Sequence, residues 1–249
     1  MAQDTLYKLP RDRVGEFTFD KSVVEVFPDM IARSVPGYAS VLSMIEQLTA
    51  RFAQPDTHLY DLGCSLGAGT ELMRVQAPTS CVIHAVDNSP AMIARLESVF
   101  ATEALQGRCQ VRIRLADVMD IDFQPTSLAV MNWTLQFIPL DRRTELLQRI
   151  FDAMLPGGAM LLSEKIALDD QHQHQHNLLT ELHQDFKRAH GYSDLEIAQK
   201  RTALENRLIP ETLSVHCQRL SQVGFELVVP WFQCFNFASI LAVKQSSTS

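Results

Sequence analysis

The sequence has no excess of positive charge and no long apolar run. Lysine and arginine number 22 against 29 aspartates and glutamates, giving a net charge of −7, which offers no general basic surface for nucleic acid. No apolar stretch approaches the roughly 20 residues of a membrane-spanning helix, and the N-terminus lacks the apolar core of a signal peptide. We therefore expect a cytoplasmic protein without a membrane segment and without direct nucleic-acid binding.

Paired cysteines and a clear set of metal ligands are also missing. The five cysteines form no C-x-x-C pair and their number is odd, which favours free thiols in a reducing compartment. The histidines His172, His174 and His176 alternate, but only the first and last share a helical face. Because no nearby cysteine or acid completes a ligand set, we expect a solvated polar face here and no metal site.

The most informative segment that is present spans residues 58–70. A short apolar run ends in Asp61, a glycine turn and a helical pattern follow, and a second apolar run ends in Asp87. The turn contains Gly63, Gly67 and Gly69. Glycine permits positive φ and close approach of a ligand, and a carboxylate ending the second strand can accept hydrogen bonds from both ribose hydroxyls. The pattern predicts a site for a nucleoside cofactor.

The glycine spacing favours S-adenosyl-L-methionine (SAM) over a dinucleotide. A dinucleotide fingerprint reads Gly-x-Gly-x-x-Gly, whereas this turn reads Asp-x-Gly-x-x-x-Gly-x-Gly, with Ser65 at the position of the usual middle glycine. The carboxylate of Asp61 would repel a pyrophosphate, but it suits the ammonium and sulfonium groups of SAM. The motif resembles the first motif of class I SAM-dependent enzymes.

Strand and helix patterns alternate along the chain, which is typical of a parallel sheet covered on both faces. We predict a single α/β domain over residues 1–249 with the Rossmann-like class I SAM-methyltransferase fold. Its sheet has seven mostly parallel strands, with a helical insertion before the last strand pair. Residues 1–36 are predicted to be irregular. The predicted parts are an N-terminal cap segment and helix (1–55), the core SAM-binding half (56–166), the helical insertion (167–222) and the C-terminal strand pair (223–244).

Polar residues stand at the predicted carboxyl ends of four strands, where ligands bind in such sheets. They are Asp61, Asp87, Asp117 and Asn132. An acid at the position of Asp117 commonly receives the adenine amine, and the amide of Asn132 can face the methionine end. These motifs leave open a SAM-dependent methyltransferase acting on a small molecule or RNA, and a non-catalytic SAM-fold module.

Six runs of the chain resemble the carboxy-S-adenosyl-L-methionine synthase family. The runs are Val26–Tyr38, Tyr60–Gly67, Asp87–Ile93, Asn132–Phe137, Asp185–Arg188 and Trp231–Phe237. Several lie outside the general SAM motifs, and the resemblance extends from about Asp4 to Lys244. Two departures are local: the histidine-rich segment 171–176 is slightly longer than the family pattern, and Trp133 replaces a more usual phenylalanine.

The resemblance implies a transferase that converts SAM and prephenate into carboxy-SAM and phenylpyruvate. The product would supply carboxymethyl groups for 5-oxyacetyl-uridine at the tRNA wobble position. A homodimer is also implied, and no side-chain base is identified. Arg201 matches the family's carboxylate anchor, in keeping with the bidentate fit of guanidinium to carboxylate. The cofactor-binding positions implied are Tyr38, Gly63, Cys64, Ser65, Asp87, Asn88, Asp117, Val118, Asn132 and Arg201.

Overall fold

In the computed structural model, which describes residues 2–101, 108–168 and 173–246, strands and helices alternate along the chain. The helices are α1 (Lys21–Ser34), α2 (Tyr38–Phe52), α3 (Ala68–Gln76), α4 (Pro90–Phe100), α5 (Arg143–Ala153), α6 (Gln173–Ala189), α7 (Asp194–Leu204) and α8 (Leu213–Gln222). The strands are β1 (His58–Leu62), β2 (Val82–Asp87), β3 (Gln110–Leu115), β4 (Thr126–Asn132), β5 (Met154–Ala167), β6 (Glu211–Thr212), β7 (Leu227–Cys234) and β8 (Phe237–Val243).

Side-chain caps in the sequence determine where several helices begin. Asp20 accepts hydrogen bonds from two backbone amides in the first turn of α1. Ser89 caps α4, and Pro90 follows it at the first helical position, where a missing N–H costs nothing. At α7, Ser193 and Glu196 form a reciprocal capping box. Each cap satisfies amide groups that have no partner within the helix.

The strands form one sheet in the order β3-β2-β1-β4-β5-β8-β7. The pairs from β3 to β5 are parallel, whereas β8 runs antiparallel to β5 and β7. The predicted seven-stranded, mostly parallel sheet is confirmed, with the two-residue β6 added beside the end of β5. Because the strand order reverses between β1 and β4, their carboxyl ends border a crevice of the kind that binds ligands.

Helices cover both faces of the sheet. On one face, Leu146 and Ile150 of α5 and Leu220 of α8 are buried in a single apolar cluster with the sheet. On the other face, Ile45 of α2 and Met73 of α3 are buried in a second cluster. Because both faces are covered, the central strands are apolar along almost their whole length, as in other buried parallel sheets.

Two predicted features are wrong in detail. The segment predicted to be irregular contains α1, whose capped first turn and buried apolar face outweigh the internal Pro28. The sequence pattern predicts a strand over Ala159–Glu164 that follows Gly157 and Gly158, whereas β5 begins at Met154, before both glycines. Its first residue already pairs with Thr126, and the ladder then shifts register before Leu128. A β-bulge of this kind absorbs extra residues without ending a strand.

The expectations about a metal site and a membrane segment can be compared with the residues that the structure describes. His172 lies outside the described residues, and His174 and His176 lie on α6. Within the described ranges, no group of three or more histidines, cysteines or acids is arranged to hold a metal ion. None of the helices in those ranges is long and apolar enough to cross a lipid bilayer.

Candidate active site

A cavity of about 560 Å³ lies at the carboxyl ends of the central strands and extends under α1, α6 and α7. All ten residues that the sequence analysis assigns to the site line this one cavity. They are Tyr38, Gly63, Cys64, Ser65, Asp87, Asn88, Asp117, Val118, Asn132 and Arg201. The cavity also includes Asp61 and residues that the sequence analysis did not assign, described below.

The glycine turn after β1 has a backbone shape that few residues tolerate. Gly63, Ser65 and Gly67 have φ angles of 79°, 51° and 81°. The amides of Gly63 and Cys64 both donate to the carbonyl of Val86, at 2.8 and 2.9 Å. A Cβ at position 63 would overlap the side chain of Thr134. Positive φ and close approach together explain why glycine stands there.

Asp87, the last residue of β2, is held in place by two backbone amides. Its Oδ2 accepts from the Ser65 amide at 2.9 Å, and its Oδ1 accepts from the Ser89 amide at 2.9 Å. Burial raises the pKa of Asp87, and the two backbone bonds oppose that rise. Each carboxylate oxygen has a second lone pair, so this side chain can still accept hydrogen bonds from a diol in the cavity.

Asp61, near the end of β1, is almost fully buried, and the described residues offer it one side-chain donor. The hydroxyl of Thr70 donates to its Oδ2 at 2.6 Å, and a Cβ at Gly69 would lie 3.0 Å from the same oxygen. Burial raises the pKa of Asp61 to about 6, and the charge of Asp87 adds to the effect. A cation placed beside this carboxylate would be strongly attracted, because low polarity strengthens charge interactions.

Asp117 and Val118 follow β3 and form part of the cavity wall. Asp117 caps the single turn Val118–Asp120, its Oδ1 accepting from the Met119 amide at 2.9 Å. The side-chain Nδ2 of Asn88 donates to the Oδ2 of Asp117 at 3.5 Å. Val118 is buried. An apolar wall with an acceptor at its edge can hold a flat heterocycle that carries an amino group.

Two polar atoms at the end of β4 are buried without a hydrogen-bond partner among the described residues. They are Oδ1 of Asn132 and Nε1 of Trp133. A buried unsatisfied polar group costs about 1–3 kcal/mol, so these atoms mark places where a ligand or water can bind. Tyr38 lies beside them, its ring centroid 5.5 Å from that of Trp133, and burial raises the pKa of Tyr38 to about 12. The unpartnered acceptor Oδ1 of Asn132 and the buried carboxylates fit a ligand that carries ammonium and hydroxyl donors, as SAM does. The Nε1 of Trp133 is a donor that a ligand oxygen or water can accept from.

Glu164 positions the loop after β4, although it does not line the cavity. It is almost fully buried and accepts from the backbone amides of Leu135 and Gln136, at 2.9 and 3.0 Å. Burial raises the pKa of Glu164 to about 8. The sequence analysis missed this residue, because a single acid inside an apolar strand gives no motif.

Aromatic side chains of the N-terminal segment cover part of the cavity. Phe19 packs edge-on against Phe17, Phe27 and Phe137, with centroid distances of 5.1, 6.3 and 5.7 Å. The hydroxyl of Ser89 donates to the Phe19 carbonyl at 2.6 Å, which ties this segment to the start of α4. A cover of this kind excludes water from the ligands beneath it.

Comparisons with known proteins agree on the fold. A family model described as a methyltransferase domain matches residues 59–158. Among solved structures, human N-acetylserotonin methyltransferase in complex with SAM is similar with a TM-score of 0.59 and 19% identity, over 91% of this chain and 56% of that one. A cyclopropane synthase of Mycobacterium tuberculosis is similar with a TM-score of 0.58 and 19% identity, over 75% and 61% of the two chains. The class I SAM-methyltransferase fold is confirmed.

Two curated proteins match nearly the whole chain. The carboxy-S-adenosyl-L-methionine synthase of Ectopseudomonas mendocina is 53% identical over 243 residues, covering 96% of this chain and 98% of that protein. The protein of the same name from Aliivibrio fischeri is 47% identical over 242 residues, covering 97% and 98%. At this identity and coverage, the similarity includes the segments outside the SAM motifs as well as the shared fold.

Proposed function

Because this chain belongs to the carboxy-S-adenosyl-L-methionine synthase family, it converts SAM into carboxy-SAM, and we propose that prephenate is the carboxyl donor. The single observation that carries the proposal is the gathering of all ten implied residues around one cavity. Those residues come from segments far apart in sequence. Among them, the guanidinium of Arg201 adds a carboxylate anchor to the acids and glycines that hold SAM.

The strand-end acceptors suit the polar groups of SAM. Asp87 accepts from the ribose hydroxyls, and Asp117 receives the adenine amine beside Val118. Asp61 attracts the ammonium and sulfonium charges, and the unpartnered Oδ1 of Asn132 accepts a donor from the methionine end. These assignments follow from burial and from the available lone pairs. SAM itself supplies the methyl group that becomes carboxylated.

The proposed reaction balances without a side-chain base. Prephenate loses carbon dioxide and hydroxide as its ring becomes aromatic, which leaves phenylpyruvate. The hydroxide takes one proton from the sulfonium methyl and becomes water, and the electron pair left on that carbon forms the new bond to carbon dioxide. The protein therefore has to hold both substrates, exclude water and anchor carboxylates. The aromatic cover around Phe19 and the guanidinium of Arg201 suit those tasks.

Incubation of the protein with SAM and prephenate tests the proposal. Mass spectrometry should find a nucleoside with a carboxyl group in place of one methyl hydrogen of SAM, together with phenylpyruvate and without S-adenosylhomocysteine. A control without prephenate should give no product. Formation of S-adenosylhomocysteine in the presence of a methyl acceptor, with no carboxy-SAM, would favour the methyltransferase alternative.

Three further parts of the proposal follow from family membership. The product serves carboxymethylation of the tRNA wobble uridine by a separate enzyme, which agrees with the acidic net charge of −7 on this chain. The protein works in the cytoplasm, where its free thiols stay reduced. It also forms a homodimer, which sedimentation velocity would detect as a species of twice the chain mass.

A further inference from the structure

Charges of opposite sign enter the cavity from different parts of the fold. Carboxylates come from β1, β2 and the loop after β3, where SAM is proposed to bind. The cations come from β5, α6, α7 and the segment after α7, and they are Lys165, Lys187, Lys200, Arg201 and Arg207. One acid, Glu205, also lines the cavity on this side. The sequence analysis assigned only Arg201 among the cations. Lys187 and Lys200 lie in stretches that, in sequence, resemble ordinary solvated helix faces, and Lys165 is a single cation inside the apolar strand β5.

Two of these lysines are partly buried and have no counter-charge among the residues that the structure describes. Lys200 has partners, since its Nζ lies 3.7 Å from a carboxylate oxygen of Asp4 and donates to the Ser34 hydroxyl at 3.0 Å. Lys165 and Lys187, by contrast, form no ion pair with any of the residues that the structure describes. Burying an uncompensated charge is costly, and proteins do so where a ligand completes the pair.

The groups around Lys187 disfavour its positive charge unless an anion binds beside it. Burial and the charges of Lys165, Lys200 and Arg201 lower the pKa of Lys187 to about 7. The neighbouring His183 is uncharged, because burial lowers its pKa to about 3. Its Nε2 donates to the Ser34 carbonyl at 2.8 Å. Lys187 therefore shares the cavity with other cations, and no acid in the described ranges forms an ion pair with it.

We infer that Lys165 and Lys187 form an anion subsite that binds the carboxylate groups of a dicarboxylate carboxyl donor beside Arg201. This inference rests on the proposed function and deepens it, because it places the second substrate in the half of the cavity away from the strand-end acids. A dicarboxylate with two negative charges matches two unpaired ammonium groups. A monocarboxylate product would leave one of them unpaired, which helps release after reaction.

Binding to a non-reacting complex tests the subsite separately from turnover. Prephenate is titrated by calorimetry into the protein saturated with S-adenosylhomocysteine, which has no methyl group on sulfur to lose. Lys187→Met and Lys165→Met should each weaken prephenate binding about tenfold to a hundredfold, the usual range for a hydrogen bond to a charged group. Binding of S-adenosylhomocysteine should stay within about twofold, and Lys187→Arg should restore most of the prephenate affinity.

Lys21→Met is the matched control, since Lys21 is exposed on α1, lies outside the cavity and carries the same charge. Its prephenate affinity should equal that of the unchanged protein. Prephenate binding in slightly alkaline buffer should also take up a proton, because an anion beside Lys187 favours its charged form. That uptake, read from buffers of different ionisation enthalpy, should disappear in Lys187→Met.

Stability gives a second readout that distinguishes a binding role from a structural one. Removal of an unpaired buried charge should leave the melting temperature unchanged or raise it, whereas removal of a structural contact would lower it. Equal prephenate affinity in all variants, or no prephenate binding to the unchanged protein, overturns the subsite. If prephenate binds through the two lysines but no carboxy-SAM forms, the proposed reaction fails and the subsite stands.

Discussion

Replacement of Asp87 should lower both the stability of the fold and the affinity for SAM. A carboxylate at an exposed strand end with no partner would contribute little to stability. The structure shows instead that its two oxygens accept from the amides of Ser65 and Ser89, both at 2.9 Å. Asp87→Ala therefore leaves two amides without their acceptor, one in the glycine turn and one at the start of α4. The protein should fold with reduced stability.

The structure sets the size of both effects. A hydrogen bond to a charged group contributes about 1.5–3 kcal/mol. The side chain is partly exposed and water can replace one bond, so the lower end applies and Asp87→Ala should lose about 3 kcal/mol of unfolding free energy. Loss of the ribose contacts should weaken SAM binding about tenfold to a hundredfold. Asp87→Asn keeps one acceptor oxygen, so its unfolding free energy and its SAM affinity should lie between those of Asp87→Ala and the unchanged protein.

Urea unfolding and calorimetric titration with SAM measure these two effects independently. Asp120→Ala is the control, because Asp120 is exposed on the same side of the fold and does not line the cavity. Its stability should change by less than about 0.5 kcal/mol, with SAM affinity unchanged. The reasoning is refuted if Asp87→Ala unfolds at the same urea concentration as the unchanged protein and binds SAM equally well.

Two further predictions concern Arg201 and Glu164. Arg201→Ala should lower affinity for carboxy-SAM about tenfold or more and affect SAM much less, because only carboxy-SAM has the extra carboxylate; equal losses in calorimetry would exclude this discrimination. Burial raises the pKa of Glu164 from 4.5 to about 8, so the native state holds a proton that the unfolded chain releases. The contribution of this group to stability is complete below about 4.5 and is lost as the pH rises through about 8. Urea unfolding across this range should show that loss in the unchanged protein, and Glu164→Gln should remove it; parallel pH profiles would contradict the assignment.

Local patterns in the sequence were sufficient for much of the fold. The local patterns predict a helix over Tyr38–Phe52 and strands over His58–Leu62 and Gln110–Leu115, and these bounds agree with α2, β1 and β3. Apolar periodicity and flanking turn residues act over only a few positions. Helix α1 was missed, since its internal Pro28 is an unfavourable local signal. The helix is stabilised by burial of one of its faces, and the residues that cover this face are distant in sequence.

The sequence by itself also determined the strand-end half of the site. Parallel strands bring their carboxyl ends to one edge, so Asp61, Asp87 and Asn132 had to meet wherever the helices lay. Only the tertiary structure decided that Glu164 is buried beneath the loop after β4. It also decided that Lys165 and Lys187 line the same cavity with no ion-pair partner in the part of the chain that the structure describes. The reason is physical: the cost of burying a charge depends on everything packed around it. The residues of β5, α6 and α7 become neighbours through the fold as a whole, and no local sequence pattern predicts their contacts.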